Sequence, residues 1–242
     1  MTAAFLVAAI ALGALARALT GFGFALLAVP LLSLKLDLPS AVCLAILLQV
    51  AMVPRDLLTG RGKIERRYLL LLLAGALPAV PVGQAVLLAI PTDAARVILA
   101  PLILIAILMR AGWRGFTLLI AQAPAPVAGM LAGLMAGLVA MPGPPVVLHA
   151  LSRGLDAEKI RSTLVLFFGI LSICSLSTMI AAGVIDRDLL ALAVMALPLM
   201  LLVDFVGKTL AARIPREMFE RTSVGLLVVS AAVAIGSVLQ AY

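Results

Sequence analysis

The chain has 242 residues, 64% of them apolar and only 12% charged, with a mean hydropathy of +1.26. A soluble domain is roughly 45–50% apolar, so a water-soluble enzyme or binding module is excluded. The net charge of +7 does not point to nucleic acid, because the Lys and Arg residues lie in short loops beside apolar runs, where the membrane's inner side collects them.

The apolar runs, in chain order, are 2–16, 38–54, 68–90, 97–109, 116–141, 163–185, 189–203 and 222–239. Several reach the roughly 17–25 residues that a spanning helix needs. Lipid offers no partner to backbone N–H and C=O groups, so these runs must be helices. The fold class is an all-α polytopic membrane protein. The longest polar stretch, Arg55 to Arg67, is only a loop. The opening "MTAAFLVAAIALGALA" resembles a signal h-region but lacks a basic n-region, and is read as mature protein. Cys43 and Cys174 sit in apolar segments without ligand spacing and read as packing residues. No metal and no cofactor is expected.

Sliding the chain against itself by 120 positions aligns Ala9 and Gly13 with Gly129 and Gly133, Gly23 with Gly143, Arg67 with Arg187, and "ALP" 76–78 with "ALP" 196–198. After a slip of four, Val82-Gly83 meets Val206-Gly207 and Ile90-Pro91 meets Ile214-Pro215. The expectation is a single transporter domain of two homologous halves, 1–110 and 116–242, linked by 111–115. Such repeats are common in secondary transporters.

Two topologies compete. Eight full crossings make the halves parallel and distribute the loop cations evenly, eight inside and nine outside. Alternatively, each half opens with a broken or re-entrant hairpin and adds three crossings. The first hairpin pairs helices from about 5 to 19 and 24 to 36, turning at Gly21-Phe22-Gly23. The second runs from about 127 to 152, turning at "MPGPP". The halves are then inverted, with fourteen loop cations inside, three outside, and Arg17 within the membrane. The charge rule favours this inverted repeat.

A turn at membrane depth is tolerable only where protein or a water-filled cavity surrounds it. Glycine permits the sharp turn, and Pro144 and Pro145 suit the first turn of the following helix. The two short arms would point their N-termini, with free N–H groups and positive dipole ends, toward the bilayer centre from opposite sides. That predicts a small anionic solute held near the midplane between the tips, against Thr20, Gly21 and Gly23 on one side and Met141, Gly143, Pro144 and Pro145 on the other. Gly129-Gly133-Gly137 is read as a helix-packing stripe instead. Among intramembrane polar residues, Arg17 offers a fixed positive charge or pairs with a carboxylate. His149 donates to the solute or is a satisfied structural histidine. Asp204 couples protons or pairs with Lys208. Gln49 is the neutral candidate for the cavity lining.

"TGFGFALLAVPLL" followed by "GLMAGLVAMPGPPVVLHALSRGL" and "RSTLVLFF" resembles the TauE/SafE sulfite-exporter family. The resemblance implies a membrane transporter of sulfite, thiosulfate, sulfonates or related anions, often an exporter, with Gly21, Gly23, Gly143, Pro144 and Pro145 shaping the anion path. Phe22 and Phe24 depart from the usual triple-glycine form, which leaves the cavity size and the substrate open. No HExxH or GxSxG occurs, so the chain is not expected to be an enzyme. The expectation is a proton-coupled secondary transporter in a bacterial cytoplasmic membrane, with a passive anion channel as the alternative. The partners are the anion, protons and lipid, not nucleic acid; a homo-oligomer is left open.

Overall fold

The computed structural model describes residues 2–20, 23–59, 62–90, 119–154 and 156–211. The crossings expected at 97–109 and 222–239, the linker 111–115, and the turn residues Gly21 and Phe22 lie outside them. Every regular element among the described residues is helical: α1 (Thr2–Thr20), α2 (Phe24–Leu32), α3 (Leu38–Thr59), α4 (Arg66–Ala89), α5 (Ala125–Val139), α6 (Gly143–Leu151), α7 (Ala157–Ala181) and α8 (Arg187–Ala211). These are two sets of four in the same order, a medium helix, a nine-residue helix and two long ones.

Four of them, within α3, α4, α7 and α8, are long and apolar enough to cross a membrane. By contrast α1 and α5 are shorter apolar helices, and α2 and α6 have nine residues each. At 1.5 Å per residue, nine residues span roughly 14 Å, less than half of a hydrocarbon core of about 30 Å. The protein is therefore a multi-pass membrane protein whose long helices are interrupted by short ones.

Local chemistry explains the breaks. α2 ends at Leu32, four residues before the expected end, because Ser33 closes it: its N–H donates to Val29 O (2.9 Å) and its hydroxyl to Pro30 O (2.8 Å). Asp37 then caps α3 by accepting from the Ser40 N–H at 3.0 Å. The apolar run 116–141 is broken at Pro124, whose extended backbone (φ −61°, ψ 146°) starts α5.

The chain divides into two units. One holds α1, α2, α3 as far as Leu48, and α8. The other holds α3 from Gln49, then α4, α5, α6 and α7. Each unit thus joins the hairpin of one sequence repeat to the fourth helix of the other. In the first unit, Gly207 of α8 lies against α1, where an added Cβ would stand 2.6 Å from Ala18 Cβ. In the second, the repeat-equivalent Gly83 lies against Leu138.

In the second unit, α4 and α5 run side by side in one direction. Added Cβ atoms on Gly129, Gly133 and Gly137 would strike the carbonyl oxygens of Leu72, Ala76 and Val80 in turn. Between apolar helices in lipid there is no hydrophobic gain from association, so close backbone packing over small residues carries the contact. α7 runs the same way, since Glu65 N–H donates to Thr163 Oγ1 (3.0 Å) at one end and Gln84 Nε2 to Ser175 O (2.9 Å) further along. The loop before α4 meets the start of α7, where a Cβ on Gly62 would collide with Ser162 and Glu158. Buried Leu72, Ala76, Val80, Ala128, Phe167 and Leu171 form the core of this unit.

Candidate functional site

The second unit contains a closed helical hairpin. α5 ends with Ala140 in the left-handed region (φ 57°), while the N–H groups of Ala140 and Met141 donate back to Ala136 O (3.0 Å) and Met135 O (3.2 Å). Glycine normally takes such a position; alanine there costs about 1–2 kcal/mol, and such strain tends to cluster at functional turns. α6 then returns antiparallel to α5. Ser152 Oγ donates to Ala121 O at 3.2 Å, and His149 Nε2 lies 3.0 Å from Ala123 O. Both ends of the hairpin therefore lie together. The turn stands level with Gly83 and Gln84, since Gly137 abuts Val80 and Gly83, about four helical turns along α4 from Tyr68.

Met141, Gly143, Pro144 and Pro145 are all buried around this turn. α6 starts at Gly143 with Pro142 as its N-cap and prolines in its first turn, as the sequence led us to expect. One part of the expectation needs correcting. Pro142, Pro144 and Pro145 carry no N–H, so of the residues from 142 to 145 only Gly143 supplies a backbone donor. A row of bare amides is not what this tip offers.

One side-chain amide reaches the turn instead. Gln49 Nε2 donates to Ala140 O at 3.3 Å, so the cavity candidate from the middle of α3 does reach the turn. Its second amide hydrogen remains a donor. Gln84 is 3% exposed and was not anticipated, although it is the only polar residue other than glycine between 69 and 90. A lone amide in an apolar span is the signal that would have found it.

His149 sits at the other end of α6 and is fully buried. Its Nδ1 lies 2.8 Å from Tyr68 Oη, with the two rings stacked 5.6 Å apart, and Arg153 approaches Nε2 at 3.1 Å and Ala123 O at 3.4 Å. In the tautomer that the Ala123 carbonyl favours, both ring nitrogens have partners. Tyr68 donates to Nδ1, while Nε2–H and Arg153 both donate to Ala123 O. The structure thus ties His149 to the hairpin's base rather than to its tip.

The first unit carries the other hairpin. α1 and α2 pack closely, since a Cβ on Gly13 would stand 2.8 Å from Ala28 Cβ and 3.0 Å from Phe24 O. Thr20 ends α1, and buried Gly23 precedes α2 with an ordinary right-handed backbone (φ −79°, ψ 6°). The first-turn N–H groups of α2 have no intrahelical acceptors; unlike those of α6, they belong to residues other than proline. One turn before the tip, Arg17 pairs with Asp204 of α8 (Nε–Oδ1 3.7 Å), and Lys208 pairs with the same carboxylate at 2.9 Å. Asp204 is fully buried and Arg17 is 7% exposed. Intramembrane charges commonly pair with one another. Two cations thus meet on one buried carboxylate near the end of α1.

Among the described residues, no three His, Cys, Asp or Glu side chains gather as a metal site. A family model described as "Sulfite exporter TauE/SafE" matches residues 5–234. The chain is 25% identical over 228 residues to the "Probable sulfite/organosulfonate exporter TauE" of Cupriavidus necator, covering 88% of this chain and 85% of that one. No solved structure matches it.

Proposed function

Because the chain belongs to the TauE/SafE sulfite exporter family, we propose that it is a secondary transporter that moves a small sulfur oxyanion or organosulfonate out across a bacterial cytoplasmic membrane. The observation that carries the reading is the α5–α6 hairpin, which turns within the interior of its unit beside Gln49 and Gln84. A buried turn bearing polar groups is retained where a polar solute must be met. Gln49 and Gly143 supply neutral donors, and the N-terminal end of α6 adds its partial positive charge. In the other hairpin, whose turn Thr20 and Gly23 flank, Arg17 paired with Asp204 places a buried cation one helical turn before the end of α1.

The finer topology we propose is the inverted repeat. It is supported by the contact of residues 62–65 with the start of α7. In the eight-crossing alternative these two loops belong to opposite faces of the membrane, while in the inverted arrangement they share the inner one. Proton-coupled export is part of the proposal, with Asp204 as the candidate coupling residue.

Proteoliposomes containing the full chain test this directly. An imposed pH gradient should drive [35S]sulfite to accumulate above its equilibrium level. Flux that only equilibrates would make the protein a passive channel, and absence of flux for sulfite, thiosulfate and sulfonates would overturn the reading.

A further inference from the structure

The Gln84 side chain leaves one atom idle. Its Nε2 donates to Ser175 O, yet Oε1, buried, has no donor among the described residues. Leaving a buried acceptor unsatisfied is costly. A leucine would fill the place without that cost. The Gln84 backbone N lies 2.8 Å from an added Cβ on Gly137, one turn before Ala140, whose carbonyl Gln49 holds, so residue 84 of α4 is level with the last turn of α5. The proline-rich turn supplies little, since only Gly143 among residues 142–145 has an N–H.

The two glutamines present opposite chemistry. Gln49 has a spare N–H, and Gln84 has a spare C=O. An anion made only of acceptors can satisfy the first and never the second. Resting on the transport reading above, we propose that Gln84 is a specificity-determining residue whose Oε1 accepts a hydrogen bond from the solute. The site then prefers sulfur anions that carry their own O–H or N–H donor, such as hydrogensulfite or a hydroxy- or aminosulfonate, over plain alkylsulfonates. A site built to bind such a donor rejects the analogue lacking it, because its buried acceptor is then left unpaired.

The test uses purified full-length protein and two sulfonates that differ by one hydroxyl, 2-hydroxyethanesulfonate and ethanesulfonate, with binding measured by titration calorimetry. Wild type should favour the hydroxylated anion about tenfold, the equivalent of about 1.4 kcal/mol. Gln84→Leu should reduce that ratio to about one, because the acceptor that discriminates the two anions is gone; Gln84→Met, of similar length, serves if the leucine variant does not fold. Hydrogensulfite and an aminosulfonate, tested beside them, separate an O–H donor from an N–H donor. Equal binding of the two sulfonates by wild type would mean that Oε1 is met by water only. That result, or an undiminished preference in Gln84→Leu, overturns the proposal. If wild type binds neither sulfonates nor sulfite, the transport reading itself fails.

Discussion

Both ring nitrogens of His149 are engaged, one with Tyr68 and one with Ala123. We propose that a histidine so held orients the hairpin rather than meeting the solute. Tyr68→Phe removes the donor to a buried nitrogen and should lower stability by roughly 1–3 kcal/mol, seen as a lower unfolding temperature. Sulfite affinity should be unchanged, because the pair lies at the hairpin's base. An altered affinity with intact stability would move His149 into the site. The charges in the first unit are ordered in the same way. Asp204 serves two cations, so Asp204→Asn should cost about 3 kcal/mol or more, and Arg17→Gln, which leaves Lys208 on the carboxylate, less. Equal losses in thermal unfolding would contradict a shared counter-ion. Arg17, Asp204 and His149 were each visible in the sequence as polar residues within apolar runs. The Asp204–Lys208 pair was visible as well, from its i,i+4 spacing; the distant partners were not, because Arg17–Asp204 and Tyr68–His149 join positions 187 and 81 residues apart, and no local pattern encodes such a pairing.

Helix α5 owes its position to a stripe of missing side chains. Gly133→Leu would drive carbon into the Ala76 carbonyl, and the variant should fail to give a monodisperse peak on size exclusion. Gly154→Ala is the control. Its φ of +65° strains alanine, but nothing lies within 4 Å, so the cost should stay near 1–2 kcal/mol and the protein should remain folded. The reverse exchange at the turn, Ala140→Gly, relieves a left-handed alanine (φ 57°) and should raise the unfolding temperature. These elements were the most legible part of the sequence. The GxxxGxxxG spacing announced a packed face, and "MPGPP" announced a turn followed by a helix start. What spacing alone does not reveal is the partner: Gly133 faces α4, whereas its repeat-equivalent Gly13 faces α2.

At the scale of the molecule, the repeat alternates hairpins with long helices, and each unit combines elements of both repeats. Hydropathy sees only apolar runs and reads eight crossings; the loop charges separate the alternatives, because hairpins return to their own side. Single cysteines at Lys63 and Lys159 should accordingly label from one face and those at Lys35 and Arg187 from the other. Labelling of Lys63 and Lys159 positions from opposite faces would restore the parallel arrangement. The whole account depends on the second hairpin's turn meeting the transported anion. Gly143→Val in proteoliposomes tests that most directly, with insertion and monodispersity checked first. The inserted variant should show no [35S]sulfite flux under a pH gradient that drives wild-type accumulation; wild-type flux through Gly143→Val would contradict it.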